Sequence, residues 1–202
     1  MTARSTAAGA PSRGFVARVL GAWWDLRGAM RGVLDTAPSE GRLLSFAMIA
    51  GALLFAILAL ELTVHVTRDP AVDRQQLSAQ FFMGFIAYFL VMPLVLYALA
   101  AIVGLCARFA GGIGDHRENR AAVLWAWVIS APVFAVLALP GIFASIPPQL
   151  DLGLQLVGLS FFVVALAYCI AEVQAFERVW KVFAVLASVT AFLWGSVLLL
   201  IA

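Results

Sequence analysis

Apolar residues fill five long runs of the chain, 43–66, 81–106, 121–145, 152–171 and 179–202, and polar residues collect in the breaks between them. A helix rising about 1.5 Å per residue needs about 20 residues to cross a hydrocarbon core about 30 Å thick, so each run is long enough to span a bilayer. Lipid offers no water to backbone N–H and C=O groups, which must then pair within the segment as a helix. None of the runs shows the period of two that a β-barrel strand requires. The breaks carry turn and charge signals. Arg68-Asp69-Pro70 closes the first run, Gly111-Gly112-Ile113-Gly114-Asp115 follows the second, and Pro147-Pro148 separates the third from the fourth. Glu172, Glu177, Arg178 and Lys181 mark a tight polar turn before the fifth.

The pattern predicts an all-α polytopic membrane protein, with a five-helix transmembrane domain over 43–202 and a distinct segment over 1–42. Residues 1–12, rich in Ala, Ser, Thr and Gly, read as a disordered tail. From Phe15 to Leu34 apolar residues recur at helical spacing, as Phe15, Val19, Trp23, Leu26, Met30 and Val33, with Arg18, Arg27 and Arg31 on other faces. This segment is expected to be an amphipathic helix lying in the membrane interface. Trp23 and Trp24 would anchor it at headgroup level, and Arg18, Arg27 and Arg31 would meet lipid phosphate. The alternative is a helix packed on the loops of its own bundle or on a neighbouring subunit.

Composition narrows the class further. Hydrophobic residues make up 64% of the chain and charged residues 12%, against about 45–50% and 25% in an average globular protein. A soluble domain of this size could not hide that surface, and intrinsic disorder needs the opposite balance. Charge distribution sets the expected sidedness. Arg4, Arg13, Arg18, Arg27, Arg31 and Arg42 precede the first run, Arg108, Arg117 and Arg120 follow the second, and Arg178 and Lys181 precede the fifth. Of the 13 basic residues only Arg68 and Arg74 fall on the other side. The positive-inside rule puts the N-terminus in the cytoplasm and the C-terminus across the membrane, in the periplasm if the membrane is a bacterial inner membrane. The net charge of +2 gives no reason to expect a nucleic-acid partner. The first apolar stretch, broken by Arg18, Asp25, Arg27 and Arg31, does not read as the core of a cleaved signal peptide.

Candidate chemistry is sparse. Glu61 and His65, four residues apart on one helix face, could bind a metal or pass a proton. Their position in the last turn of the first span favours snorkelling to water, and two ligands are too few for structural zinc. Cys106 and Cys169 sit singly in apolar runs, without metal or disulfide spacing. The glycines before His116 lack the GxxxxGK[ST] pattern of a phosphate loop and read as helix punctuation, with Asp115 a candidate N-cap. Pro93, Pro132 and Pro140 read as kinks. Ser45, Ser130, Ser160, Ser188 and Ser196 have no histidine within plausible reach. No catalytic, cofactor or metal residue is therefore expected. Small residues at four-residue spacing, Ala187, Ala191 and Gly195 with Ala184 a turn earlier, and Ala100 with Gly104, read as helix-packing positions.

The stretch 90–100, then Ala107-Arg108-Phe109-Ala110-Gly111-Gly112, then Arg120 and Trp125 through Ser130-Ala131-Pro132, resembles the bacterial branch of the Yip (Ypt-interacting protein) family over about residues 42–145. The resemblance implies five spans and a cytoplasmic N-terminus. For eukaryotic relatives it implies binding of lipidated small GTPases. The Asp-Leu-Tyr-Gly-Pro motif of those relatives is absent from this N-terminal segment. The expected role is a non-catalytic scaffold or accessory subunit whose partners are the bilayer and another integral membrane protein or complex. The alternative is a small transporter or channel for a neutral or lipidic molecule.

Overall fold

The apolar runs fold into helices longer than themselves, because polar caps carry each helix past the end of its apolar stretch. A computed structural model describes residues 14–68, 74–144, 146–180, 182, 183 and 186. In chain order these form α1 (Phe15–Ala22), α2 (Leu26–Asp35), α3 (Glu40–Arg68), α4 (Arg74–Ile86), a π-helical turn (Ala87–Val91), α5 (Met92–Phe109), α6 (His116–Phe143) and α7 (Pro148–Val173), with no strand among the described residues. Four stretches are long and apolar enough to cross a membrane: α3, the continuous Gln75–Phe109, α6 and α7. They correspond to the first four expected spans, and the chain is an integral membrane protein on that ground. Nearly all of the fifth span, 179–202, lies outside the described residues, and Ala187, Ala191 and Gly195 lie there with it. So do the expected tail, 1–12, and the loop 69–73.

The ends of the helices follow local rules. Asp115 and Glu118 form a reciprocal capping box at the start of α6. At the end of α5 the Gly112 N–H bonds to the Ala107 carbonyl at 2.8 Å and the Gly111 N–H to the Arg108 carbonyl at 3.0 Å. Gly111 sits at φ 83° between them, the left-handed position of a Schellman turn. Inside the second span the Met92 N–H reaches back to Ala87, and this wide turn runs directly into Pro93, which has no N–H to give an α-helical ladder.

α6 forms the axis of the bundle, running parallel to α3 and antiparallel to α7. Every residue from Ala121 to Ala131 is buried. Trp125 packs on Phe46 of α3 at 5.5 Å between ring centres and edge-on to Phe15 of α1 at 6.4 Å. Ala100 of α5 is buried, and Gly104 admits the Asn119 side chain where a Cβ would come within 2.8 Å of its Nδ2. This small-residue pair packs internally.

The N-terminal segment departs from the single interfacial helix expected over Phe15–Leu34. Asp25 breaks it by capping α2, accepting the Gly28 N–H at 2.8 Å, and the result is a helical hairpin, α1–α2. Its apolar face is turned into protein. Val19, Ala22, Met30 and Val33 are buried in the same core cluster as α3 and α6. Val19, Ala22, Met30 and Val33 thus share one core with the spans, as in the alternative of a helix packed on its own bundle.

Candidate functional site

Polar side chains gather at the two ends of the bundle. One end holds the hairpin, the start of α3 and α6, and the close of α5 and α7. The Trp23 Nε1 donates to the Ile129 carbonyl of α6 at 2.9 Å, three residues before Pro132. Arg18 lies over the Trp125 ring at 5.8 Å. Arg31 Nε meets Glu172 Oε1 of α7 at 2.5 Å, Arg27 Nε lies 3.8 Å from Glu172 Oε2, and Arg27 Nη2 donates to the Phe176 carbonyl at 3.2 Å. The bond to Glu172 raises the pKa of Arg31 above its ordinary value. The three arginines expected at lipid phosphate thus have protein neighbours, and of the two tryptophans Trp24 is the more exposed, at 92% against 37% for Trp23.

Further contacts tie the same end together. Arg120 pairs with Glu40. Arg117 donates to the Pro38 carbonyl at 2.6 and 3.0 Å and to the Ala37 carbonyl at 3.1 Å, holding a turn in which Ala37 has φ 40°. At its centre is a buried amide pair that sequence reasoning did not single out. Gln174 Nε2 donates to Asn119 Oδ1 at 2.6 Å, and Gln174 Oε1 accepts the Gly114 N–H at 3.0 Å. A Cβ on Gly112 would collide with Gln174 Oε1, and one on Gly114 would come within 2.6 Å of Val173 Cγ1. The glycine cluster is therefore both a helix stop and a seat for Gln174. Nothing in a lone Gln or Asn at a helix end marks it as buried; the paired glycines were the available signal.

At the opposite end α3, α6 and α7 line an open cleft of about 680 Å³, with Glu61, Arg68, Asp151 and Gln155 and apolar residues that include Phe134 and Leu159 on its walls. A smaller cavity of about 250 Å³ shares Glu61 and Arg68 and is also lined by His65. Because α3 continues to Arg68, Glu61 lies about two turns inside the helix and not in its last turn. Arg68 Nη2 donates to the Phe143 carbonyl at 2.7 Å, and Gln155 Nε2 to Asp151 Oδ2 at 2.9 Å. Among the described residues no group of three or more His, Cys, Asp or Glu is placed to hold a metal ion. No family model, curated protein or solved structure matches the chain.

Proposed function

We propose that this protein is a non-catalytic scaffold or accessory subunit that stands beside a larger assembly in a bacterial inner membrane, with a cytoplasmic N-terminus, a fifth span and a periplasmic C-terminus. The observation that carries the reading is the contrast between two of its helices. α6 is enclosed by its neighbours from Ala121 to Ala131, whereas the Gln75–Phe109 span leaves a row of large apolar side chains uncovered, among them Phe82, Met83, Leu94 and Ile102. The small residues of α5 are consumed inside the bundle, so this outer row is the surface left for lipid or for another integral membrane protein. The polar ties at the hairpin end support a rigid body, as a scaffold requires. The basic residues named above support the threading, and the resemblance to the bacterial Yip branch agrees with it.

The test is co-purification of the full chain in mild detergent. A partner at fixed stoichiometry that is lost on Leu94→Trp is the expected result. A chain that purifies alone under every mild condition would overturn the reading. Reporter fusions test the sidedness separately: activity of a periplasmic reporter in the Gly114–Arg120 loop would overturn the threading.

A further inference from the structure

The hairpin does not lie flat on the end of the bundle, and two contacts of Trp23 fix the depth of its turn. The indole N–H donates to the carbonyl of Ile129, 13 residues after the start of α6 and 14 before its end. The same ring meets Phe161 edge-on at 6.3 Å between ring centres, 13 residues after the start of α7 and 12 before its end. At about 1.5 Å per residue, both contacts lie about 18–21 Å from either end of helices long enough to span the membrane. Trp23 thus reaches the middle of the bundle. α2, ten residues and about 15 Å long, leads from this turn back to the bundle end, where Arg117, the second residue of α6, holds the Ala37 and Pro38 carbonyls. At the other end of α1, Phe15 is itself sunk beside Phe46, six residues after the start of α3, and Trp125, nine residues after the start of α6.

The surface of the segment suits that depth. Every exposed residue of α1 is apolar, namely Val16, Ala17, Leu20 and Gly21, and Trp24 continues the Val16–Leu20 row at the same four-residue spacing. The one charged residue of α1, Arg18, is turned inward over the Trp125 ring. The Trp23 and Trp24 N–H groups return to the Leu20 and Gly21 carbonyls at 3.3 Å, and the Asp25 carboxylate accepts the Gly28 N–H. Irregular backbone at membrane depth needs such internal partners. Asp25 apart, the exposed charged residues of the hairpin, Arg31 and Asp35, lie in the later half of α2, towards the bundle end.

The depth of Trp24 follows from covalent geometry. Consecutive Cα atoms are about 3.8 Å apart and an indole nitrogen lies about 5 Å from its own Cα, so the Trp24 Cα is within about 9 Å of the Ile129 contact. With the middle of α6 and α7 at the middle of a hydrocarbon layer about 30 Å thick, Trp24 is at least about 6 Å inside its boundary. We infer that α1–α2 is a re-entrant hairpin, entering and leaving by one face of the membrane, and that Val16, Leu20 and Trp24 are its contact with the acyl chains of that leaflet. An uncharged row at this depth, with no polar group to pair, matches lipid chains. The headgroup level expected from the Trp and Arg pattern lies well above it.

The test is spin labelling of the full chain reconstituted in phospholipid vesicles, in a Cys106→Ser background where the buried Cys169 stays unlabelled. Nitroxides at Leu20→Cys and Trp24→Cys are compared with one at Asp35→Cys, the last residue of α2. Collisions are measured with oxygen, which partitions into lipid, and with a nickel chelate, which stays in water. The Leu20 and Trp24 labels should be open to oxygen and closed to the chelate, with Trp24 at least about 6 Å below the hydrocarbon boundary. The Asp35 label supplies the water-exposed reference. One label per chain, with Cys169 unreacted, verifies the fold of each variant. Chelate access at Leu20 and Trp24 equal to that at Asp35 would put the hairpin among headgroups or in water. Low access to both probes would mean that protein covers the row. Either result would overturn the inference.

Discussion

Replacing Gln174 by Met removes both hydrogen bonds of a buried amide while keeping a side chain of similar length. The change strands the Gly114 N–H and Asn119 Oδ1, both buried and both bonded to Gln174. Each stranded group costs about 1–3 kcal/mol, so the variant should lose about 2–6 kcal/mol. Asn119→Ala strands only Gln174 Nε2 and should cost about 1–3 kcal/mol. The double variant leaves the Gly114 N–H alone without its partner. Its cost should therefore fall at least about 1 kcal/mol short of the sum of the single costs. Cys169 offers the readout: its thiol is fully buried in α7 and Cys106 is the exposed one. In a Cys106→Ser background, labelling of Cys169 by a thiol-reactive dye on heating reports loss of α7 packing. A loss of 2 kcal/mol should lower Tm by about 4–8 °C. Strictly additive single costs, or a Gln174→Met variant as stable as the parent, would refute the account of the amide pair.

Three other outcomes test separate parts of the structure. Ala175 sits at φ 55° after α7, where the Phe176 N–H bonds back to Ala171 at 2.8 Å; Ala175→Gly should stabilise by about 0.5–1 kcal/mol in the same thermal assay. Glu172→Gln should weaken the hold of α7 on Arg27 and Arg31 and speed trypsin cleavage after them. A raised Arg31 pKa gives stability that is fully present below the ordinary guanidinium value and is lost only above it. Cleavage of the parent should accordingly show no clasp-opening step between pH 7 and 10 once the protease's own pH profile is divided out. With six tryptophans in the chain, quenching by lipids brominated near the headgroup should fall further on Trp24→Phe than on Trp23→Phe, whose indole is held at Ile129.

Long-period signals in the sequence were legible and tertiary ones were not. Four spans could be read because about 20 consecutive apolar residues have no other stable placement. Asp115 could be read as a cap because capping is settled within four residues. The covering of the hairpin had two readings, for the reason that makes amphipathic segments ambiguous: Val19, Met30 and Val33 form an apolar stripe whether lipid or protein covers it. Asp25, a good cap set ahead of Leu26, was the overlooked sign of a break. The partners of Arg27, Arg31 and Gln174 lie 55 to 149 residues away in sequence, and no local pattern couples them. Asp151 and Gln155 look like the polar start of a helix until the fold sets them on the wall of a cleft shared with α3 and α6.

The separation between the hairpin and its partners also has a meaning in time. Arg27 closes on the Phe176 carbonyl, 149 residues later in the chain. At about 5–20 residues per second, synthesis of that interval takes about 7–30 s. Throughout it α1 and α2 exist while α7 does not, and Val19, Met30 and Val33 have no finished core to enter. The nearest apolar surface is the headgroup boundary of the bilayer, which an amphipathic stripe with flanking Trp and Arg fits. The apolar stripe of the hairpin can therefore be covered by its final protein neighbours only once α7 has been made, so the two ends of the chain set the time at which this end of the bundle closes.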